Sequence, residues 1–439
     1  MALFVLEQTA LKIALQLRYN IYMKNMKDYR YHYALIGKLK MSFAQQHIVD
    51  CMIGCALFVY NRMVAINEEL YMLRQVKTYL KPVADRMVRL ESVRKSAKTL
   101  KNSAPFLSEV DDGVIQNAIR NYNKAWANYR KGIAGKPTLH HKKHSGSCQV
   151  NPHYKTGATG MNDCSGVYFV DRKHMMLPGL RKVKVLFSPE LIKKILARKT
   201  ETRIGTVTIE RDACGEYWVS VLFGSDEPFV EPYRKTNSTV GIDLNLTNFL
   251  TDSDGGVVDN PKFFKTAEDK LAEEQRVLSR RGEAAKKRNV SLAEAKNYQK
   301  QRVKKAKLER NIKKRREDFH RKTAKHYVES QDIIVFEDLK VANLLGNHKL
   351  AKAISDVGWS SFVTICQQTA EMHGHAVIKI PPEYTTQKCS ACGHVSPDKI
   401  RLGVEAWDCP YCGAHHARDH NAAINILYKG LALCGTQQP

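Results

Sequence analysis

Two short cysteine pairs, Cys389-Ser-Ala-Cys392 and Cys409-Pro-Tyr-Cys412, restrict what this chain can fold into more than any other feature. A two-residue turn between cysteines lets both thiolates reach one tetrahedral ion. Crossing two such turns folds a ribbon too small to hold a core of its own. The spacing Cys389-x2-Cys392-x16-Cys409-x2-Cys412 predicts one structural Zn2+. With four thiolates in place, the nearby His394, His415 and His416 are not needed as ligands. Cys51 and Cys55, one helical turn apart with no second pair, read as buried small residues. The opening MALFVLEQTALKIALQLRYNIYM is interrupted by Glu7, Lys12 and Arg18 and lacks the features of a secretory signal, so it reads as an amphipathic helix. The 11 cysteines then imply a reducing compartment and an intracellular protein that does not enter a membrane.

Charge supplies the second constraint. Lys and Arg number 70 against 44 Asp and Glu, a formal net charge of +26. Such an excess repels itself unless a polyanion neutralises it, which points to nucleic acid. At roughly 150 residues per domain, 439 residues suggest about three domains. No phosphate-cradling P-loop, dinucleotide fingerprint or Ser-His-Asp arrangement competes as an organising motif.

Residues 43–80 and 105–133 read as a helical block, with Ser42 as a cap. Tyr122, Trp126 and Tyr129 fall on one helix face, as core or as a base-stacking stripe. The stretch 135–153, rich in Gly, Ser, Lys and His, reads as a boundary or a loop facing nucleic acid. Its His140, His141, His144 and Cys148 are spaced too irregularly for a metal site. GVYFVD, KVKVLF, GTVTIER and EYWVSVLF then imply a small antiparallel sheet or barrel. VGIDLNLTNFLTDSDGG reads as a strand and its hairpin return. One long helix is expected over about 264–328, with Leu308, Ile312 and Phe319 as its buried seam. Its run Lys313, Lys314, Arg315 and Arg316 is dense enough to line a phosphate backbone. The strand QDIIVFEDL, the helix SDVGWSSFVTICQQTAEMHG and the strand AVIKIPP complete a mixed α/β sheet.

Three acids occupy places that disfavour a lone carboxylate: Asp243 inside an apolar strand, Glu337 at the end of another, Asp419 ahead of a helix. Each alone has an ordinary explanation as a salt-bridge partner, a strand-end acid or a helix cap. Brought to about 5 Å from one another, each pair would repel by about 3 kcal/mol at an effective dielectric near 20, so the cluster would need cations. Two Mg2+ ions on such carboxylates are suited to phosphodiester hydrolysis, the chemistry of a nuclease.

With these residues together, the chain resembles the TnpB family, RNA-guided nucleases encoded by insertion sequences and related to miniature type V CRISPR effectors. The likeness spans about Ala34 to Lys429 and rests on GCALFVYNR, FLSEVDDGVIQNAIRNYNKAWANYRKG, GIDLNLTNFLTDSDG, REDFHRKTAK, VFEDLKVANL, AISDVGWSSF, CSACGHVSPD and RDHNAAINI in that order. It implies an α/β multidomain fold. Residues 236–388 and 413–439 would form an RNase H-like (RuvC) nuclease domain with Asp243, Glu337 and Asp419 as its catalytic Mg2+ ligands. Residues 389–412 would be an inserted zinc ribbon that binds target nucleic acid. A β-barrel wedge domain would take 33–50 and 136–235, and a helical recognition lobe 51–135. The implied partners are a guide RNA from the transposon end and target double-stranded DNA, cut beside a short adjacent motif by a protein acting as a monomer. Guide pairing would carry the sequence reading while the protein grips the backbone. Residues 1–32 have no counterpart in the family, Glu405 departs from its pattern, and Arg401 stands as a substitute for a phosphate-contacting arginine. A CRISPR effector, a non-cleaving RNA-guided regulator and a zinc protein without guide RNA are the alternatives. The presence of all three acids argues against the last two.

Overall fold

The computed structural model describes residues 24–433 apart from 94, 142–143, 156–157, 159, 199–201, 345, 347–349 and 397–403. The opening apolar stretch up to Met23 and the candidate Arg401 lie outside the described residues. The chain divides into two compact units, the second beginning at Val230.

In the first unit, alternating apolar residues build a long antiparallel sheet from β1 (Tyr31–Lys40), β2 (Gly146–Val150), β5 (Tyr168–Asp171), β6 (His174–Leu177), β7 (Arg181–Leu186), β8 (Thr202–Arg211) and β9 (Tyr217–Ser225). Among the described residues the order is β2-β8-β9-β1-β7-β6-β5, with a separate hairpin of β3 (His153–Tyr154) and β4 (Cys164–Ser165). The four expected runs are strands, and the end strands of the sheet, β2 and β5, do not pair with each other among the described residues. The central strand β1 was not foreseen from residue patterning. It begins two residues before the expected wedge boundary, and Lys24 is already tied to Asp226 at 2.7 Å.

Helix α1 (Phe43–Arg74) starts at Ser42, whose hydroxyl accepts from the Gln45 N–H while the Gln45 side chain accepts from the Ser42 N–H, a reciprocal cap. It is long and apolar enough to cross a membrane, yet it buries Val49, Met52, Val59, Met63, Ile66 and Leu70 in the core of this unit. Shorter helices follow: α2 (Lys81–Val93), α3 (Ala97–Ser103), α4 (Asp112–Arg130) and α5 (Pro189–Ala197). Helix α4 packs on α1, with the Tyr122 ring edge-on to Tyr60 at 5.7 Å.

The second unit is organised by a five-stranded sheet of β10 (Thr239–Leu244), β11 (Asn248–Asp252), β12 (Val257–Asp259), β13 (Ile333–Glu337) and β14 (Ala376–Ile380), in the order β12-β11-β10-β13-β14. The hairpin strands β10, β11 and β12 are antiparallel, while β10–β13 and β13–β14 are parallel. A parallel pair needs a crossover. Helices α6 (Glu268–Lys287), α7 (Lys296–Ser330), α8 (Val341–Leu344), α9 (Ala351–Val357) and α10 (Trp359–His373) supply those crossovers, and α11 (Arg418–Leu433) closes the chain.

Two expected single helices are broken. The long one ends at Lys287 and resumes at Lys296, with Asn289 in the left-handed region (φ 52°) inside the turn. The later one breaks at Gly358 (φ 67°), a conformation that costs a side chain but not glycine. Arg316 and His320 of α7 hold that break: Arg316 donates to the Ser355 and Asp356 carbonyls at 3.2 Å, and His320 Nε2 to Val357 O at 3.0 Å.

Candidate active site

Strand period and pairing register decide which side chains meet. In β10, Val240 and Ile242 enter the apolar cluster with Phe336, Phe362 and Tyr327, so Gly241 and Asp243 face the other way. In β13, Ile334 and Phe336 enter that cluster, while Val335 packs with Ile426 of α11 on the opposite face. Glu337 therefore shares a face with Asp243. The parallel register sets Ile242 beside Phe336, which makes Asp243 and Glu337 the next positions along neighbouring strands.

Helix α11 lies on that face because two glycines let it. A Cβ on Gly241 would strike the Ala423 carbonyl oxygen and come within 2.5 Å of Leu427 N, and one on Gly430 would come within 2.5 Å of Val335. With the helix this close, Asp419 in its first turn reaches the same corner. Asp243 is 8% exposed. Burial first, then the charges of Glu337 and Asp419, push its carboxyl up to about 8, against a hydrogen bond from Asn245. Burial also raises Glu337, partly offset by the Thr385 hydroxyl, which donates to Glu337 Oε1. Asp419 is half-buried and accepts from Arg418 Nε at 2.9 Å and Nη2 at 2.8 Å.

Such a corner fits hard cations: it gathers oxygen donors from three elements, and burial together with the two neighbouring carboxylates holds the Asp243 carboxyl up at about 8. Among the described residues, the four cysteines are the one set of potential metal ligands whose donor atoms all lie within 4.8 Å of one another.

The cysteines form a separate centre. Each pair makes the same turn: Gly393 N donates to Cys389 O and Gly413 N to Cys409 O, both at 2.9 Å, with the glycines at φ 76° and 71°. The hairpin β15 (Ala406–Asp408) and β16 (His415–Ala417) joins the second turn to α11. Cys389 and Cys412 sulfurs are 3.7 Å apart, as are those of Cys392 and Cys409. A tetrahedron of thiolates about 2.3 Å from Zn2+ has edges of about 3.8 Å, so the quartet fits that ion. His416 sits 3.0 Å from the Cys389 sulfur without displacing a cysteine, and His415 pairs instead with Asp408 at 2.7 Å.

The candidate nucleic-acid residues are placed unevenly. Tyr122 is 2% exposed and its hydroxyl accepts from Trp126 Nε1, so its ring is core and offers no face to a base. Trp126 is half-buried at the edge of that core, and Tyr129 is exposed. Lys313, Lys314 and Arg315 are exposed on α7, with Arg315 over the Phe263 ring at 5.2 Å. Arg316, committed to the α9 carbonyls, departs from the expected phosphate-lining set. Cys51 is exposed where a buried residue was expected, and Cys55 is buried. His140 stacks on Tyr60 at 4.4 Å, and the loop histidines form no ligand cluster with Cys148 among the described residues. Patterning did not single out Asn245, Thr385, Arg418, Asn421 or Asn425. The one available signal was the pair of asparagines at i and i+4 in RDHNAAINI.

Comparison with known proteins agrees with this architecture. Residues 207–348 match the family OrfB_IS605, described as "Probable transposase", and residues 359–426 match the Cas12f1-like TNB domain. A Streptomyces pristinaespiralis protein named as an RNA-guided DNA endonuclease is 32% identical over 333 residues, 75% of each chain. InsQ of Escherichia coli K12, named likewise, is 30% identical over 256 residues, 54% of this chain and 60% of that one. The fold resembles that of Cas12f1 in its complex with single guide RNA and target DNA, with a TM-score of 0.53 at 14% identity, covering 87% of this chain and 81% of that one.

Proposed function

The chain belongs to the TnpB family of RNA-guided DNA endonucleases, and we propose that it cuts double-stranded DNA through Asp243, Glu337 and Asp419 acting as ligands of two Mg2+ ions. The observation that carries this reading is the shared face of Asp243 and Glu337 on parallel strands, with the first turn of α11 against it. An aspartate raised to about 8 by burial first and by two neighbouring carboxylates second is poised to exchange its proton for a cation. Divalent ions bound there supply charge compensation and an activated water for in-line attack on a phosphodiester.

The chain's own residues do the rest. Asn245 holds the Asp243 carboxyl, Thr385 the Glu337 carboxylate, and Arg418 pairs with the Asp419 carboxylate. In this reading the strand order β12-β11-β10-β13-β14 is an RNase H-like (RuvC) core, and the ribbon 389–412, holding one Zn2+, stands before the third acid and gates access to it. The antiparallel sheet serves as the wedge (33–50 and 136–235) and the helices of 51–135 as the recognition lobe. Lys313, Lys314 and Arg315 grip the phosphates of guide or target, and Trp126 lies at a nucleic-acid face. The guide RNA derives from the transposon end, and the protein works as a cytoplasmic monomer. The Cas12f1-like match makes a CRISPR effector a relative of this chain.

The test is Asp243→Ala in the ribonucleoprotein. It abolishes cleavage while RNA-directed DNA binding persists, and a variant that still cuts removes Asp243 from the metal site.

A further inference from the structure

Between the last sheet strand and the cysteine ribbon, residues 381–388 pass beside Glu337. Thr385 is 3% exposed, and its single hydroxyl proton has two acceptors, Glu337 Oε1 and the Pro382 carbonyl 3.1 Å away. A carboxylate is the stronger acceptor, so the hydroxyl fixes one oxygen of Glu337. Two asparagines one turn apart on α11 hold the same segment. Asn425 Nδ2 lies 2.9 Å from Thr385 O and 2.6 Å from Lys388 O. Asn421 Nδ2 donates to Lys388 O at 2.9 Å, and its Oδ1 accepts from Ser390 N at 2.9 Å. They are 1% and 2% exposed, for Asn421 and Asn425 respectively.

The backbone groups on either side of Cys389, the first ribbon ligand, are thus both held by Asn421. A continuous path of hydrogen bonds runs from Cys389 through Lys388 and Asn425 to Thr385 and so to Glu337. Buried amides often serve only to satisfy backbone groups. Here the last bond ends on a carboxylate of the reactive corner, whose geometry it sets.

We propose that Thr385, Asn421 and Asn425 are positioning residues: they form a strap through which the folded cysteine ribbon fixes the Glu337 carboxylate for divalent-cation binding. This rests on the reading of Glu337 as a metal ligand. Coupling between two sites is reciprocal, so whatever the ribbon's order adds to cation affinity, cation binding adds to the ribbon's order.

The test is Mn2+ binding to the full-length chain with its co-purifying RNA, followed by the loss of the free-ion electron paramagnetic resonance signal, alongside zinc content. Removing a partner of a metal-ligating carboxylate weakens metal binding roughly 10- to 100-fold. Thr385→Val, which keeps the shape and loses the hydroxyl, is expected to weaken Mn2+ about tenfold at unchanged zinc content. Thr385→Ser, which keeps the hydroxyl, restores the affinity. Cys409→Ser weakens Mn2+ in the native background and adds little to Thr385→Val. Native affinity in Thr385→Val, or equal weakness in Thr385→Val and Thr385→Ser, overturns the strap. Should Thr385→Val not fold, Asn421→Ala carries the same comparison, and native affinity there is equally fatal. Glu337→Gln separates the two levels. If it binds Mn2+ as tightly as the native chain, the metal-ligand reading fails and the strap with it; if it is weak while Thr385→Val is native, the strap alone fails.

Discussion

Replacing Asp243 by Asn should stabilise the protein when no divalent cation is present, and the gain should grow with pH. The folded-state carboxyl of Asp243 lies at about 8, against the ordinary aspartate value of 3.8. A raised carboxyl means that the folded chain holds a proton the unfolded chain releases between about pH 4 and 8. Stability therefore falls as pH rises through that window and levels off above it. Each unit of difference is about 1.4 kcal/mol, so about four units place the stability lost, relative to acid pH, on the order of 5 kcal/mol at pH 9 and about 1.5 kcal/mol at pH 5. Asparagine has the same shape, can keep the Asn245 hydrogen bond and never ionises, so it escapes the loss. The assay is thermal unfolding of native and Asp243→Asn protein in chelator, at pH 5 and pH 9. At about 2–4 °C per kcal/mol for a unit of this size, the Tm gain at pH 9 should exceed that at pH 5 by about 7 °C or more. Adding Mg2+ should raise the native Tm and leave the variant nearly unmoved, since a ligand stabilises only the state that binds it. A gain that does not depend on pH, or a variant less stable at pH 9, would refute the buried carboxylate cluster.

Other residues give sharper local tests. Gly241→Ala drives a methyl into the α11 backbone and should cost about 1–3 kcal/mol of stability and most of the cleavage, because Asp419 moves with the helix; native cleavage in this variant would mean that the helix does not need its close approach. Cys409→Ser should lower zinc content and cleavage together, and unchanged zinc by elemental analysis would refute the four-thiolate site. Nucleic-acid affinity should fall steeply with salt, and the Lys313→Ala/Lys314→Ala double variant should reduce the logarithmic salt slope by about 2. Arg316→Ala should instead lower stability with no change in slope, because its guanidinium holds the α9 carbonyls; a change in slope would return Arg316 to the phosphate-binding set.

What could be read from sequence was what obeys a period or a fixed spacing. The cysteine quartet was legible because a two-residue turn dictates where both thiolates go, whatever surrounds them. Asp243 and Glu337 stood out because each interrupts an apolar strand, and strand period then commits both to the face opposite Ile242 and Phe336. Positions decided by tertiary contact did not show. Arg316 looks like its neighbours Lys313 and Lys314 in a basic run, and only the break at Gly358 turns it towards the α9 carbonyls. Tyr122 and Tyr129 share a helix face in projection, yet α1 covers one and leaves the other exposed. Strand β1 lies mid-sheet between β9 and β7, and its partners are nearly 150 or more residues away, too far for local pattern to announce the pairing. The partners of the acids were hidden for the same reason. Thr385 and Asn425 are ordinary polar residues until α11 settles on Gly241, and that contact brings the asparagine to the segment that holds the threonine on Glu337. The acids mark where chemistry is possible, and two glycines, by admitting a helix at backbone distance, decide that Asp419 comes to the face that Asp243 and Glu337 share.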